Sequence, residues 1–268
     1  MPASNASRIA VILYTVREYA SAPAEAARTL RRIRKIGYEN VQVSGGPFIS
    51  IDPGTMRKMA DDAGLGIVGA HVGLDDFRNN LNAVIDRLHT YGCRYAAIPS
   101  FSYGEGTLAK WKAFGKECDR IGKRLKRDGI KLQYHNHAFE FEKLGVRGGK
   151  GGRTRFDILM ASSSRGALQC ELDVGWVARG GYDPAAVLAG LKGRVDQVHA
   201  KDWGVVLHEP IWRAVGEGGL NWNAIVKAGK AAGVKMWIVE QDDCPVTHNP
   251  FKSIAISFDN LMAMPLGR

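Results

Sequence analysis

A chain of 268 residues, 45% apolar and 24% charged, can bury one large core and has the composition of an ordinary globular protein. Its formal net charge of +10 points first to nucleic acid. Many of the cations, however, sit on helix-like stretches (Arg28, Arg31, Arg32, Arg34, Lys35; Lys123, Arg124, Lys126, Arg127), as solvated outer faces would, so no nucleic-acid partner is expected. Cys93, Cys118, Cys170 and Cys244 form no C-x-x-C pair, which argues against a structural zinc site or a disulfide framework. Residues 1–8 lack an apolar signal core, and no apolar run is long enough to span a bilayer. A cytoplasmic protein without a membrane partner is the expectation; a homo-oligomer stays open.

Along the chain, short β-branched apolar runs alternate with longer amphipathic stretches. The runs cover 9–14, 41–44, 67–71, 95–99, 131–135, 168–173, 195–199 and 235–240. The helix-like stretches that follow them cover 22–36, 55–63, 78–91, 108–128, 156–162, 184–191, 222–232 and 250–262. Gly37, Gly64, Gly92, Gly129 and Gly233 stand where helices should end, because glycine takes a left-handed conformation at little cost. Eight strand–helix units in one chain predict a single-domain α/β fold, a (β/α)8 barrel. Two stretches break the rhythm. Residues 145–153 read as a flexible glycine-rich loop after the fifth strand. Residues 202–219 read as a long loop after the seventh, holding Trp203 and Trp212.

Barrel enzymes place their chemistry at the C-terminal ends of strands. Here the fifth strand runs into Tyr134-His135-Asn136-His137-Ala138-Phe139-Glu140. The sixth ends in Cys170-Glu171-Leu172-Asp173, the seventh in Val198-His199-Ala200-Lys201-Asp202 and the eighth in Val239-Glu240-Gln241-Asp242. Four consecutive strands thus deliver imidazoles or carboxylates to one rim. Carboxylates at the end of an apolar run are costly to bury unless something compensates them, and one divalent ion would compensate several at once. A carboxylate-rich set with one imidazole favours Mn2+, with Mg2+, Co2+ or Zn2+ also suitable.

These motifs, with Ala70-His71-Val72-Gly73-Leu74 and Val215-Gly216-Glu217-Gly218, resemble the sugar phosphate isomerase/epimerase group of xylose isomerase-like barrels along nearly the whole chain. The resemblance implies one metal ion held by a strand-five carboxylate, Asp173, His199 and Glu240. Glu140 is the expected strand-five ligand, with His135 and His137 nearer the strand end as alternatives. Related proteins often carry a glutamate near the end of the second strand; this chain has Gln42 there, which cannot act as a base.

Chemistry of this group on a carbonyl compound passes through an enediolate. Glu140, Glu240 and His71 are then the candidate acid–base residues, and His135, His137, Trp176, Lys201 and Arg213 the candidate contacts to a carbohydrate. A DNA-repair nuclease like endonuclease IV and a non-catalytic sugar-binding barrel are the rival readings. The first needs a three-zinc cluster for which seven histidines look too few.

Overall fold

The computed structural model describes residues 5–101, 106–147 and 150–266. Eight parallel strands close into a barrel: β1 (Ile9–Ile12), β2 (Asn40–Val43), β3 (Gly66–His71), β4 (Tyr95–Ile98), β5 (Lys131–His135), β6 (Leu168–Asp173), β7 (Val195–Ala200) and β8 (Met236–Val239). Each strand pairs with its successor, and β8 pairs with β1 through Trp237 opposite Ile9 and Val239 opposite Val11. Every apolar run of the sequence therefore becomes a barrel strand.

The outer ring comprises α1 (Pro23–Ile36), α2 (Pro53–Ala63), α3 (Leu74–Asn79), α4 (Leu81–Tyr91), α5 (Leu108–Lys126), α6 (Arg155–Ala161), α7 (Val174–Arg179), α8 (Pro184–Gly190), α9 (Trp222–Ala232) and α10 (Pro250–Met262). Side chains cap several N-termini: Asp52 accepts from Thr55 N–H, Asn221 from Ala224 N–H and Asn249 from Phe251 N–H. The five helix-ending glycines all take positive φ, from 67° at Gly92 to 128° at Gly37. The helix expected over 78–91 is interrupted at Asn80, which separates α3 from α4.

The stretch expected to be a flexible loop is instead an antiparallel hairpin, Lys143–Arg147 with Lys150–Thr154; residues 148 and 149 lie outside the described part. Its glycines hid the alternation that would have marked strands. A second hairpin, Asp202–Val206 with Glu209–Arg213, occupies the long segment after β7. Leu207 and His208 turn it with positive φ, a conformation that non-glycine residues rarely signal in sequence.

The strands divide the apolar residues into two clusters. The larger, between strands and helices, includes Val41, Leu132, Leu172 and Val198. The smaller, with Ala10, Ile12 and Ile238, fills the barrel interior beside Val68 and Met236. Alternation along each strand turns Gln42, Gln133, His135, Glu171, Asp173, Gln197 and His199 to the inside, and all of them are buried. The interior thus has an apolar patch from β1, β8 and Val68 of β3, with polar side chains from β2, β5, β6 and β7 beside it.

Helix α5 lies so close to the segment before β6 that a Cβ on Gly122 would stand 1.9 Å from the Ala167 carbonyl oxygen. Replacing a helical glycine by alanine normally gains about 1 kcal/mol. Here the obstacle is backbone, which cannot rotate away, and overpacking costs about 1–3 kcal/mol. Gly122→Ala is expected to destabilise the barrel by about 2 kcal/mol in urea unfolding; a stabilised variant would show that α5 can move outward freely.

Candidate metal centre

The site is built on the C-terminal ends of β3 and β5–β8. Asn136 sits just after β5 and clamps the end of β6. Its Oδ1 accepts from Asp173 N–H at 3.0 Å and its Nδ2 donates to the Asp173 carbonyl at 3.3 Å. Asp173 Oδ1 then caps α7 by accepting from Trp176 N–H at 2.9 Å. Its other oxygen, Oδ2, is buried and accepts no hydrogen bond, although Lys201 Nζ stands 3.2 Å away.

Two overlapping groups have donor atoms within 4.8 Å of one another: His135, Asp173, His199 and Glu240; and His71, His135, Glu171 and His199. In the first, His199 Nδ1 is 2.5 Å from Glu240 Oε2 and a His135 nitrogen is 4.0 Å from Asp173 Oδ2. In the second, Glu171 accepts from His71 Nε2 at 2.7 Å and from Gln42 Nε2 at 2.5 Å. His135 Nδ1, 3.6 Å from Glu171, has no hydrogen-bond partner.

Lys201 supplies a buried cation beneath this rim. Its Nζ is 2.9 Å from Asp242, 3.2 Å from Asp173 and 3.4 Å from Glu240, and it lies 5.0 and 4.8 Å from the ring centres of Trp176 and Trp212. Gly175 makes the approach feasible, since a Cβ there would fall 2.9 Å from the Lys201 carbonyl oxygen and Cγ. The neighbouring Asp202 pairs elsewhere. Its carboxylate gathers Trp222 Nε1 and the N–H groups of Gly216 and Gly218, which ties down the chain after the second hairpin.

The charges do not balance. Burial raises the Asp173 carboxyl to about 7, even though Lys201 favours its ionised form. Burial also opposes ionisation of Glu240, but Lys201 and His199 hold it well below the usual carboxylate range. His199 is pushed to about 10: burial disfavours its charge, and Glu171 and Glu240 outweigh burial. His137 falls to about 4 through burial and the Lys201 charge. The buried carboxylates, the Asp173 Oδ2 and His135 Nδ1 atoms that make no hydrogen bond, and the converging donor atoms together fit a divalent cation.

The geometry gathers Asp173, His199 and Glu240 in one group, and the strand-five residue beside them is His135, one of the two alternatives to Glu140. Glu140 belongs to neither group. It is fully buried in a 3-10 turn, Phe139–Phe141, where its carboxylate accepts from the Tyr134 hydroxyl at 2.7 Å and from His137 N–H at 2.8 Å. Tyr134 is on the outward face of β5, so Glu140 is drawn away from the barrel axis and His135 takes the inward place. Glu140 is also not among the residues that line the cavity over this group. Arg213 is also elsewhere: its Nε donates to the Glu217 carbonyl at 3.1 Å and it does not line the cavity. Trp176 lies tilted beside His137 and edge-on to Trp212, with Lys201 over it.

Glu171 is not among the candidates drawn from the sequence, and Gln42, which cannot act as a base, is a buried amide between Glu171 and His199. The two-residue spacing of Glu171 and Asp173 was the available signal, because residues i and i+2 of a strand share a face. Above the donor groups lies a pocket of about 330 Å3, lined by His71, His135, His137, Glu240 and Asp242 with Tyr14, Ser44 and Ile49. Arg17 braces its wall, donating to the Tyr14 and Asp242 carbonyls at 2.9 and 3.0 Å.

Fold and site together define a closed (β/α)8 barrel whose rim carries a cluster of His, Asp and Glu able to hold a metal ion. The chain belongs to the xylose isomerase-like TIM barrel family, whose model matches residues 30–252. It is 24% identical over 161 residues to an inosose dehydratase of Clostridium beijerinckii, a match covering 53% of this chain and 51% of that protein. The chain thus spans about half the length of that relative. In structure it is similar to a sugar phosphate isomerase/epimerase from Parabacteroides distasonis, with TM-score 0.83 and 22% identity over 99% of this chain and 97% of the other. It also resembles an L-ribulose 3-epimerase, with TM-score 0.72 and 17% identity over 96% and 94% of the two chains. Among the described residues, no helix is long and apolar enough to cross a membrane.

Burial raises the Glu140 carboxyl from 4.5 to about 7, against the Tyr134 hydroxyl and the His137 N–H, which favour the anion. Between these pH values the folded chain keeps a proton that the unfolded chain has released, so stability falls as pH rises through this window. At about 1.4 kcal/mol per unit, the loss is about 3 kcal/mol. Glu140→Gln cannot titrate. Urea unfolding at pH 4.5 and pH 8 is expected to show wild type losing about that much stability relative to the variant. A constant difference between the two proteins would mean that Glu140 ionises normally.

Proposed function

We propose that this chain is a metal-dependent enzyme of carbohydrate chemistry. Its reaction starts by removing a proton from the carbon beside the carbonyl of a keto sugar, 3-keto glycoside or inosose. Isomerisation, epimerisation, dehydration and β-elimination all share that first step. The observation that carries the reading is the buried group of His135, Asp173, His199 and Glu240, which reaches one small pocket through His135 and Glu240. At about 330 Å3 the pocket is at the small end of ligand cavities, which favours a single sugar ring over a nucleic-acid duplex. The names of the relatives, a dehydratase and an epimerase, support the same shared step.

His135, Asp173, His199 and Glu240 would hold the cation, and a set mixing imidazole with carboxylate suits Mn2+, with Co2+ or Zn2+ also accommodated. When bound, a divalent cation supplies Lewis acidity that weakens a C–H bond beside a carbonyl. The chain's own groups do the rest. His71 lines the pocket and donates from Nε2 to Glu171, which leaves Nδ1 to accept a substrate proton. Glu240, on another strand, faces the same cavity and is the second acid–base group. His137 and Asp242 stand at the wall, where they orient hydroxyl groups. Lys201 is fully buried behind Asp173, Glu240 and Asp242, so its work is to hold these carboxylates in place.

Solvent-deuterium exchange followed by NMR, over a panel of keto sugars, 3-keto glycosides and inososes, tests the reaction. The cation-loaded protein is expected to place deuterium at one carbon adjacent to the carbonyl; no exchange with any compound would overturn the reading. Asp173→Asn preserves the cap on α7 but removes a charge. It is expected to weaken Mn2+ binding by more than about 100-fold in chelator competition, with the melting temperature of the metal-free protein little changed. Unaltered binding would remove Asp173 from the ligand set.

A further inference from the structure

Gln42 is fully buried on β2, inside the barrel and beneath the pocket. Its amide lies between two groups with opposite demands. Nε2 is 2.5 Å from Glu171 Oε1, and Oε1 is 2.9 Å from His199 Nε2. A carboxylate only accepts, so the amide nitrogen must face Glu171. The amide oxygen then faces His199, and because an amide oxygen also only accepts, His199 Nε2 must carry a proton. Glu171 Oε2, 3.2 Å from the same nitrogen, imposes the same requirement. The opposite nitrogen, Nδ1, points towards Glu240 Oε2, within the group that includes His135 and Asp173.

We propose that Gln42 and Glu171 are a pair of positioning residues that keep the His199 proton on Nε2 and so present Nδ1 as the atom that binds a divalent cation. The inference rests on reading that group as the metal centre. It also selects between the two overlapping groups. The Glu171 oxygens are engaged by Gln42, His71 and His199, whereas Asp173 Oδ2 accepts no hydrogen bond and faces only the Lys201 ammonium, 3.2 Å away. The cation therefore belongs on the Asp173 and Glu240 side, and Glu171 orients rings instead of coordinating. One carboxylate thereby serves two imidazoles, since the rings of His71 and His199 lie parallel within 4°, 5.4 Å apart, above it. A histidine ligand whose other nitrogen is fixed by a hydrogen-bond acceptor binds metal about 10- to 100-fold more tightly than one left unsupported.

The pair is tested by moving its parts. Gln42→Met keeps the volume and removes both hydrogen bonds; it is expected to lower Zn2+ and Mn2+ affinity about 10- to 100-fold in chelator competition. The exchange Gln42→Glu with Glu171→Gln restores a donor–acceptor chain of the same polarity, because Glu at 42 still accepts from His199 Nε2. It is expected to bring affinity back to within about threefold of wild type, which lost packing alone would not achieve. Long-range 15N–1H NMR of the Zn2+-loaded wild type is expected to show His199 coordinated at Nδ1 and protonated at Nε2. Coordination at Nε2, or wild-type affinity in Gln42→Met, would overturn the proposal while leaving the metal centre intact. Wild type that binds no divalent cation would overturn the metal reading itself.

Discussion

The constraint on which this molecule turns is the burial of more negative than positive charge at one end of a closed barrel. Glu171, Asp173 and Glu240 are all within the interior or its rim, and the buried cations facing them are Lys201 and the imidazolium of His199. Removing charged groups from water is expensive, and an incomplete set of partners leaves part of that cost standing. The raised carboxyl of Asp173 is the local sign of the deficit. A barrel tolerates it because the outer apolar layer, packed between strands and helices, stabilises the fold independently of what fills the interior.

Around that deficit the surrounding residues act as supports. Asn136 fixes the backbone of Asp173, and Gln42 and Glu171 fix the ring of His199. Asp202 anchors the chain beyond β7 through backbone N–H groups and Trp222. Each support uses atoms with only one hydrogen-bonding sense, an amide nitrogen that donates or a carbonyl or carboxylate oxygen that accepts, so the orientation of its neighbour follows. Gly218 shows how tight this is, because a Cβ there would stand 2.2 Å from Asp202 Oδ1. Precision of this kind favours a reaction in which a proton moves between fixed groups.

Glu140 and His135 show where local reading failed. A carboxylate close after a strand looks like the better partner for a hard cation, and the sequence offers no sign that Tyr134, on the outward face, will capture it. The direction of Glu140 depends on a 3-10 turn whose formation depends on that same capture. Arg213 failed for a related reason: hairpin pairing with Asp202 commits its backbone, and the Glu217 carbonyl takes its side chain. Gln42 cannot act as a base, and its pairing with Glu171 and His199, two residues far along the chain, is not visible from its neighbourhood in sequence.

Sequence alone determined the barrel. Strand and helix periods, with a glycine after each of five helices, are local signals, and eight repeats of them leave one closed arrangement. It also determined that His199, Asp173 and Glu240 would meet, because residues ending consecutive parallel strands must share a rim. Tertiary structure alone decided which of the neighbouring His and Glu residues turn inward, and that His135 lies beside Asp173, His199 and Glu240 while Glu140 does not. Those choices rest on hydrogen bonds between segments as distant as Gln42, Glu171 and His199, and such pairings carry no signature along the chain until the barrel closes.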